Sequence, residues 1–160
     1  MKSMQAGVKA LMLAWLVLTG SVYGHQIPSI QLEIDITSNG AHVLRLNIDP
    51  RLVISNTPAS MPPVGVDWYR EQTPEQVVET GSKTIAYIRK TLRFDYGSRA
   101  SALDWEVQPM DGVSNQPLSD STTEVHLLAV ASHFPSATEA SLAVSLAADA
   151  AAALTIITLI

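Results

Sequence analysis

The sequence predicts a mainly β, α+β fold: an antiparallel β-sandwich-like domain carrying one inserted amphipathic helix. Three observations predict it. Between Thr73 and Leu92, apolar residues recur at helical spacing. On both sides of that segment they alternate with polar residues at the strand period of two. Short turns such as Ser38-Asn39-Gly40 join the alternating runs, as in antiparallel sheets.

The chain opens with an expected export signal over residues 1–24. Lys2 and Lys9 give a basic start, Ala10 to Leu18 is unbroken apolar sequence, and Val22-Tyr23-Gly24 puts small residues at −3 and −1 for cleavage before His25. The apolar run is shorter than the ~20 residues a membrane span needs. Residues 25–160 then form a single expected extracytoplasmic β-rich domain. In the first strand Ile30, Leu32, Ile34 and Ile36 alternate with Gln31, Glu33, Asp35 and Thr37. Asn39-Gly40 accepts the positive φ of a tight turn, and the return strand places Leu44, Leu46 and Ile48 on one face before Asp49-Pro50 ends it.

Residues 51–72 contain Pro58, Pro62 and Pro63, which forbid a regular helix through the middle. Leu52-Val53-Ile54 is expected to be a short strand or turn, and Trp68-Tyr69 to pack where the chain enters the helix. That helix begins at Thr73 as N-cap, with Pro74 in the first position and Gln76 as capping-box partner. Val77, Gly81, Ile85, Ile88 and Leu92 share one face. A hairpin is expected next: Leu92, Phe94 and Tyr96 on one strand, a turn at 97–101, and Leu103, Trp105 and Val107 on the other.

Asp111 to Thr123 reads as a polar loop. Glu124 to Ser132 is apolar on both faces and suits a central strand. Leu142, Val144 and Leu146 alternate again, and Ala152 to Leu159 is a last apolar strand, making seven strands and one helix. The alternative for Leu142 to Ile160 is a membrane helix. It would bury Asp149 near mid-bilayer at about 2.5–3.5 kcal/mol, and the alternation favours strands.

Composition narrows the function. The 160 residues hold ten basic and fifteen acidic side chains; without Lys2 and Lys9 the balance falls from −5 to −7. Nucleic acid and anionic membrane surfaces are therefore unsuitable partners, since both are held mainly by basic side chains. There is no cysteine, which excludes thiol catalysis and cysteine-held metal clusters, and there is no Asn-x-Ser/Thr sequon. Both features point to export into a bacterial periplasm or envelope. No nucleophile elbow, zinc-protease helix, phosphate loop or dinucleotide fingerprint is present.

The one pointed chemical feature is His25. As a mature N-terminus it would offer an α-amine and an imidazole to one metal ion, and copper suits such nitrogen ligands. A second histidine must come from elsewhere. His126 lies mid-strand and is the candidate partner; the leading expectation is no cofactor, with His25 a frayed terminus and His126 a satisfied core or surface residue. His42 opens the second strand on its apolar parity. His133 stands seven residues after His126, so an unbroken strand points those two to opposite faces.

The layout from His25-Gln26-Ile27-Pro28 onward is a first hairpin, a helix running into a strand over Ile85 to Tyr96, and a second hairpin. It resembles the extracytoplasmic N-terminal region of bacterial membrane proteins related in their C-terminal half to the HupE/UreJ hydrogenase and urease accessory permeases. The resemblance spans His25 to Ile160 and implies an envelope protein linked to metal handling. Such proteins continue into several membrane helices, so it further implies either a C-terminally truncated product or a stand-alone relative. Membrane contact is expected only if the gene continues into those helices.

The expected function is that of a non-enzymatic exported module that binds an envelope protein or a second copy of itself. The alternatives are a copper-binding or copper-dependent redox protein built on His25, and the remnant of a membrane transporter.

Overall fold

The computed structural model describes residues 27–97, 99–136, 141–150 and 152–159. Among them are eight strands, three α-helices and a 3-10 turn, grouped as a mainly β, α+β fold with two sheets. The expected first and last strands, the central strand and the long helix are all present. The expected single helix is joined by two short ones, and seven strands become eight.

Strand β1 (Ser29–Ile36) and strand β2 (His42–Ile48) form the expected hairpin, with Ile30 opposite Ile48 and Ile36 opposite His42. Gly40 takes φ +82 in the turn, which a side chain would resist. Ile30, Leu32, Ile34, Leu44, Leu46 and Ile48 are buried, while Glu33 and Asp35 flank Arg45 on the opposite face at 3.4 and 3.8 Å.

The proline-bearing connection is neither strand nor plain turn. Its Leu52-Val53-Ile54 lies in helix α1 (Arg51–Ile54); a 3-10 turn (Pro58–Ser60) and helix α2 (Val66–Arg70) follow. Pro58 starts the 3-10 turn, where its missing N–H costs nothing. Backbone bonds from Val66 to Thr123 O and from Val125 to Val64 O pin the segment to the start of the central strand.

Helix α3 (Pro74–Thr91) has the full capping box: Thr73 Oγ1 accepts from Gln76 N–H, and Gln76 Oε1 accepts from Thr73 N–H at 2.8 Å. Its apolar face sinks progressively into the core. Val77, Gly81 and Ile85 are half-buried and Ile88 is 1% exposed. Thr84 is fully buried on the same face, its hydroxyl donating to Thr80 O at 2.8 Å. Gly81 lies against Val107, where a Cβ would be 3.9 Å from the valine Cβ.

The helix runs without a break into strand β3 (Leu92–Tyr96), as the change of period predicts. The expected long hairpin does not form. Strand β4 (Arg99–Ala100) pairs with β3 through two residues only, and Leu103 and Trp105 are buried in an extended segment outside any strand. Strand β5 (Glu106–Asp111) crosses to the other sheet and pairs with strand β6 (Val125–His133). Strand β7 (Leu142–Leu146) takes the long partnership with β3 instead, Leu92 opposite Leu146.

The larger sheet has the order β5-β6-β2-β1-β8, where strand β8 is Ala153–Leu159; the smaller has the order β4-β3-β7. One pairing departs from the antiparallel expectation: β8 runs parallel to β1, Ser29 opposite Ala153. A single core joins the buried face of the larger sheet, Ile88 of α3, and Leu92, Phe94 and Tyr96 of the smaller sheet. Within the expected alternative membrane helix, Leu142–Leu146 and Ala153–Leu159 are strands and the described residues between them form a turn, and no described helix is long and apolar enough to cross a membrane.

Candidate functional site

Two places carry more than packing: a polar network on the outer face of the larger sheet, and a cleft at the end of α3.

The network is built on His126. Its neighbours in β6, Val125 and Leu127, point into the core, so His126 falls on the outer face. There its Nδ1 lies 2.7 Å from Asn47 Oδ1, on β2. Asn47 Nδ2 in turn donates to Asn115 Oδ1. Because an amide oxygen only accepts, the proton sits on His126 Nδ1 and Nε2 keeps its lone pair. Burial pushes the His126 pKa down. The carboxylates of Asp49, Glu124 and Asp111 oppose that shift, and Arg51 adds to it.

Two further units frame the histidine. Asp49 and Arg51, both nearly enclosed, bind each other through Arg51 Nε at 3.0 and 2.9 Å to the two carboxylate oxygens. Arg51 Nη1 also donates to Met61 O at 2.8 Å, tying the proline-bearing connection to the end of β2. Asp111 closes the turn after β5: its Oδ1 accepts from Ser114 N–H at 2.8 Å and Val113 N–H at 2.9 Å. Those bonds, led by the one from Ser114 and joined by Thr122, lower its pKa to about 2.

Of the two candidate metal ligands, His126 is the one that can be placed; His25 lies outside the described residues. Asn47 occupies the Nδ1 of His126, so Nε2 is the atom it can offer to a metal. No group of three or more His, Asp or Glu side chains suited to a metal ion occurs among the described residues. His42 and His133 are brought together on the core face, directly opposite each other in the β2–β6 register. Both rings stand against Tyr96, with centroids 5.5 and 4.1 Å away. That trio closes one end of the core, on the face of β6 opposite to His126, as the spacing of seven requires.

The cleft was not anticipated. It measures about 520 Å³ and lies between the last turn of α3, β3, the extended segment around Leu103 and the end of β7. Phe94 and Trp105 supply its aromatic side, their ring centroids 5.5 Å apart. Arg89, Lys90 and Arg93 lie among its lining residues, and no carboxylate does. The sequence signal was present as Arg-Lys at a helix end with a third cation, Arg93, opening the following strand. Its meaning depends on Trp105 and β7 arriving from later in the chain.

No protein-family model, curated protein or solved structure matches the chain.

Proposed function

We propose that the chain is an exported, non-enzymatic interaction module, and that its partner is a polypeptide adding a strand to the free edge of β8. The carrying observation is the contrast between the two edges of the larger sheet. The β5 edge holds Glu106, Pro109 and Asp111, the charges and proline that discourage further pairing. The β8 edge holds no charge over Ala153–Leu159, and Ile156 and Ile157 remain 47% and 48% exposed. Strand β8 pairs with β1 on one side and has no partner on the other among the described residues. An uncharged apolar edge of seven residues is a template for strand addition. Strand β7 is likewise uncharged, but shorter.

Three finer statements belong to the same proposal. The two sheets stack as a β-sandwich-like unit, supported by the core their inner faces share. The address is the bacterial envelope, supported by the signal-like residues 1–24. The relation to the extracytoplasmic region of HupE/UreJ-related proteins is supported by the layout of hairpin, long helix and helix-to-strand junction.

The test is association in solution, with a second copy of the chain as the first partner. Light scattering coupled to size-exclusion chromatography should show concentration-dependent association of the wild type. Ile157→Lys, which adds a charge to the edge, should suppress it. A wild type that stays monomeric at high concentration, and is indistinguishable from Ile157→Lys, would overturn the reading.

A further inference from the structure

We infer that the cleft at the end of α3 is a binding site for a small anionic amphiphile, a molecule with one carboxylate or phosphate head and an apolar body. This goes beyond the strand-addition reading and is independent of it.

The charge pattern is the first argument. The chain has five more acidic than basic residues, yet the cleft gathers three of its ten cations and none of its fifteen acids. Arg93 is engaged by Asp95, with Nε 2.9 Å from both carboxylate oxygens. Arg89 and Lys90, like Arg99 outside the cleft, form no ion pair among the described residues, whereas Arg45, Arg51, Arg70, Lys83 and Arg93 do. Two cations without an ion pair therefore line a cleft that also holds Leu92, Phe94, Leu103 and Trp105, which is complementary to a negatively charged head on an apolar body.

The shape is the second argument. A volume of about 520 Å³ falls in the range of small-molecule sites, which are mostly apolar with a few polar groups fixing orientation. The apolar part comes from Leu92, Phe94, Leu103 and Trp105, held by the core beneath them. The walls are tied by backbone bonds, Ser101 N–H to Phe94 O and Ala147 N–H to Thr91 O, both 2.8 Å. The cleft is therefore formed before a ligand arrives, and little ordering cost falls on binding.

Basic residues in a last helical turn also complement the helix dipole, and Arg89 and Lys90 do so here. That role predicts an effect on stability and none on ligand choice. Ligand binding separates the two.

Isothermal titration calorimetry on the whole protein would use three probes, each built on a ten-carbon chain, below their micellar concentrations: decanoate, decyl phosphate and decyltrimethylammonium. Both anions should bind saturably and the cation should not. The stronger anion identifies a carboxylate or a phosphate head as the natural one. Arg89→Gln with Lys90→Gln should weaken the anions by about tenfold or more. Ala102→Trp, at an exposed lining position, should block the cleft without touching the core. The inference is overturned if no probe binds, if the cation binds as tightly as decanoate, or if both variants bind decanoate like the wild type.

Discussion

The imidazole of His126 occupies the space into which a side chain on Gly112 would grow: a Cβ there would lie 2.9 Å from His126 Cδ2 and 3.3 Å from Nε2. The ring cannot swing aside without giving up its bond to Asn47. Gly112 is therefore fixed by contact with a neighbour. Gly112→Ala should cost about 1–3 kcal/mol, the usual range for overpacking. Combined with His126→Ala, which removes the obstacle, it should cost much less than the sum of the two single changes. Urea midpoints of the four proteins check this; strict additivity would place the two residues out of contact.

Asp49 and Arg51 form a buried pair, and removing one partner strands the other. Asp49→Ala should lose about 3–5 kcal/mol. Arg51 would also lose its anchor while still bonded to Met61 O. A double replacement, Asp49→Leu with Arg51→Met, should recover much of that loss, since an apolar pair leaves no uncompensated charge. Thermal melts of the single and double variants provide the comparison.

Ile88 is the core anchor of α3, and Ile88→Ala should cost about 2–5 kcal/mol. Ile85→Ala, at a half-buried position one turn earlier, should cost less. A denaturation midpoint unchanged by Ile88→Ala would show that the helix is peripheral to the core.

Acid should weaken the fold in two stages. His126 has a pKa depressed by burial, so the unfolded chain takes up its proton first, and stability falls as the pH drops below the ordinary 6.5. Asp111, with a pKa lowered to about 2, contributes stability that is complete above its ordinary 3.8 and is lost between there and about 2. His126→Gln should flatten the upper slope, and Asp111→Asn the lower one. Denaturant midpoints measured from about pH 8 downward would resolve the two.

Copper binding by His25 is a separate expectation with its own test. On the copper alternative, a mature chain beginning at His25 would bind Cu(II) through amine and imidazole. One extra residue before His25 should abolish the chelate by moving the amine out of ring-closing distance. Affinity should fall as the pH drops through ~6.5, where an unperturbed imidazole gains its proton. Calorimetry on the two forms decides it; equal binding would rule out the chelate.

What could be read from the sequence was mostly local. The capping box at Thr73, the turn at Gly40 and the burial parity of β1 and β2 depend on residues near one another in the chain. Alternation also marked Leu103 and Trp105 correctly as buried, but it reports which side chains are covered and not which strand is adjacent. Alternation therefore does not give the long partner of β3, because β7 arrives from much later in the sequence. The His126 site was legible only as a residue type. Its partner Asn47 lies 79 positions away, and nothing local announces the contact.

The parallel pairing of Ser29 with Ala153 bears on how the molecule is made. Strand β1 has two neighbours, one supplied at once by the adjacent hairpin and the other from near the far end of the sequence. Closing so long a loop costs entropy before it returns any contact, and topologies of this kind fold slowly. A growing or translocating chain would thus hold β1 with one edge bare until β8 arrives. During that interval the nascent chain exposes that edge of β1, so a holding chaperone is best placed to act between the emergence of β1 and that of β8.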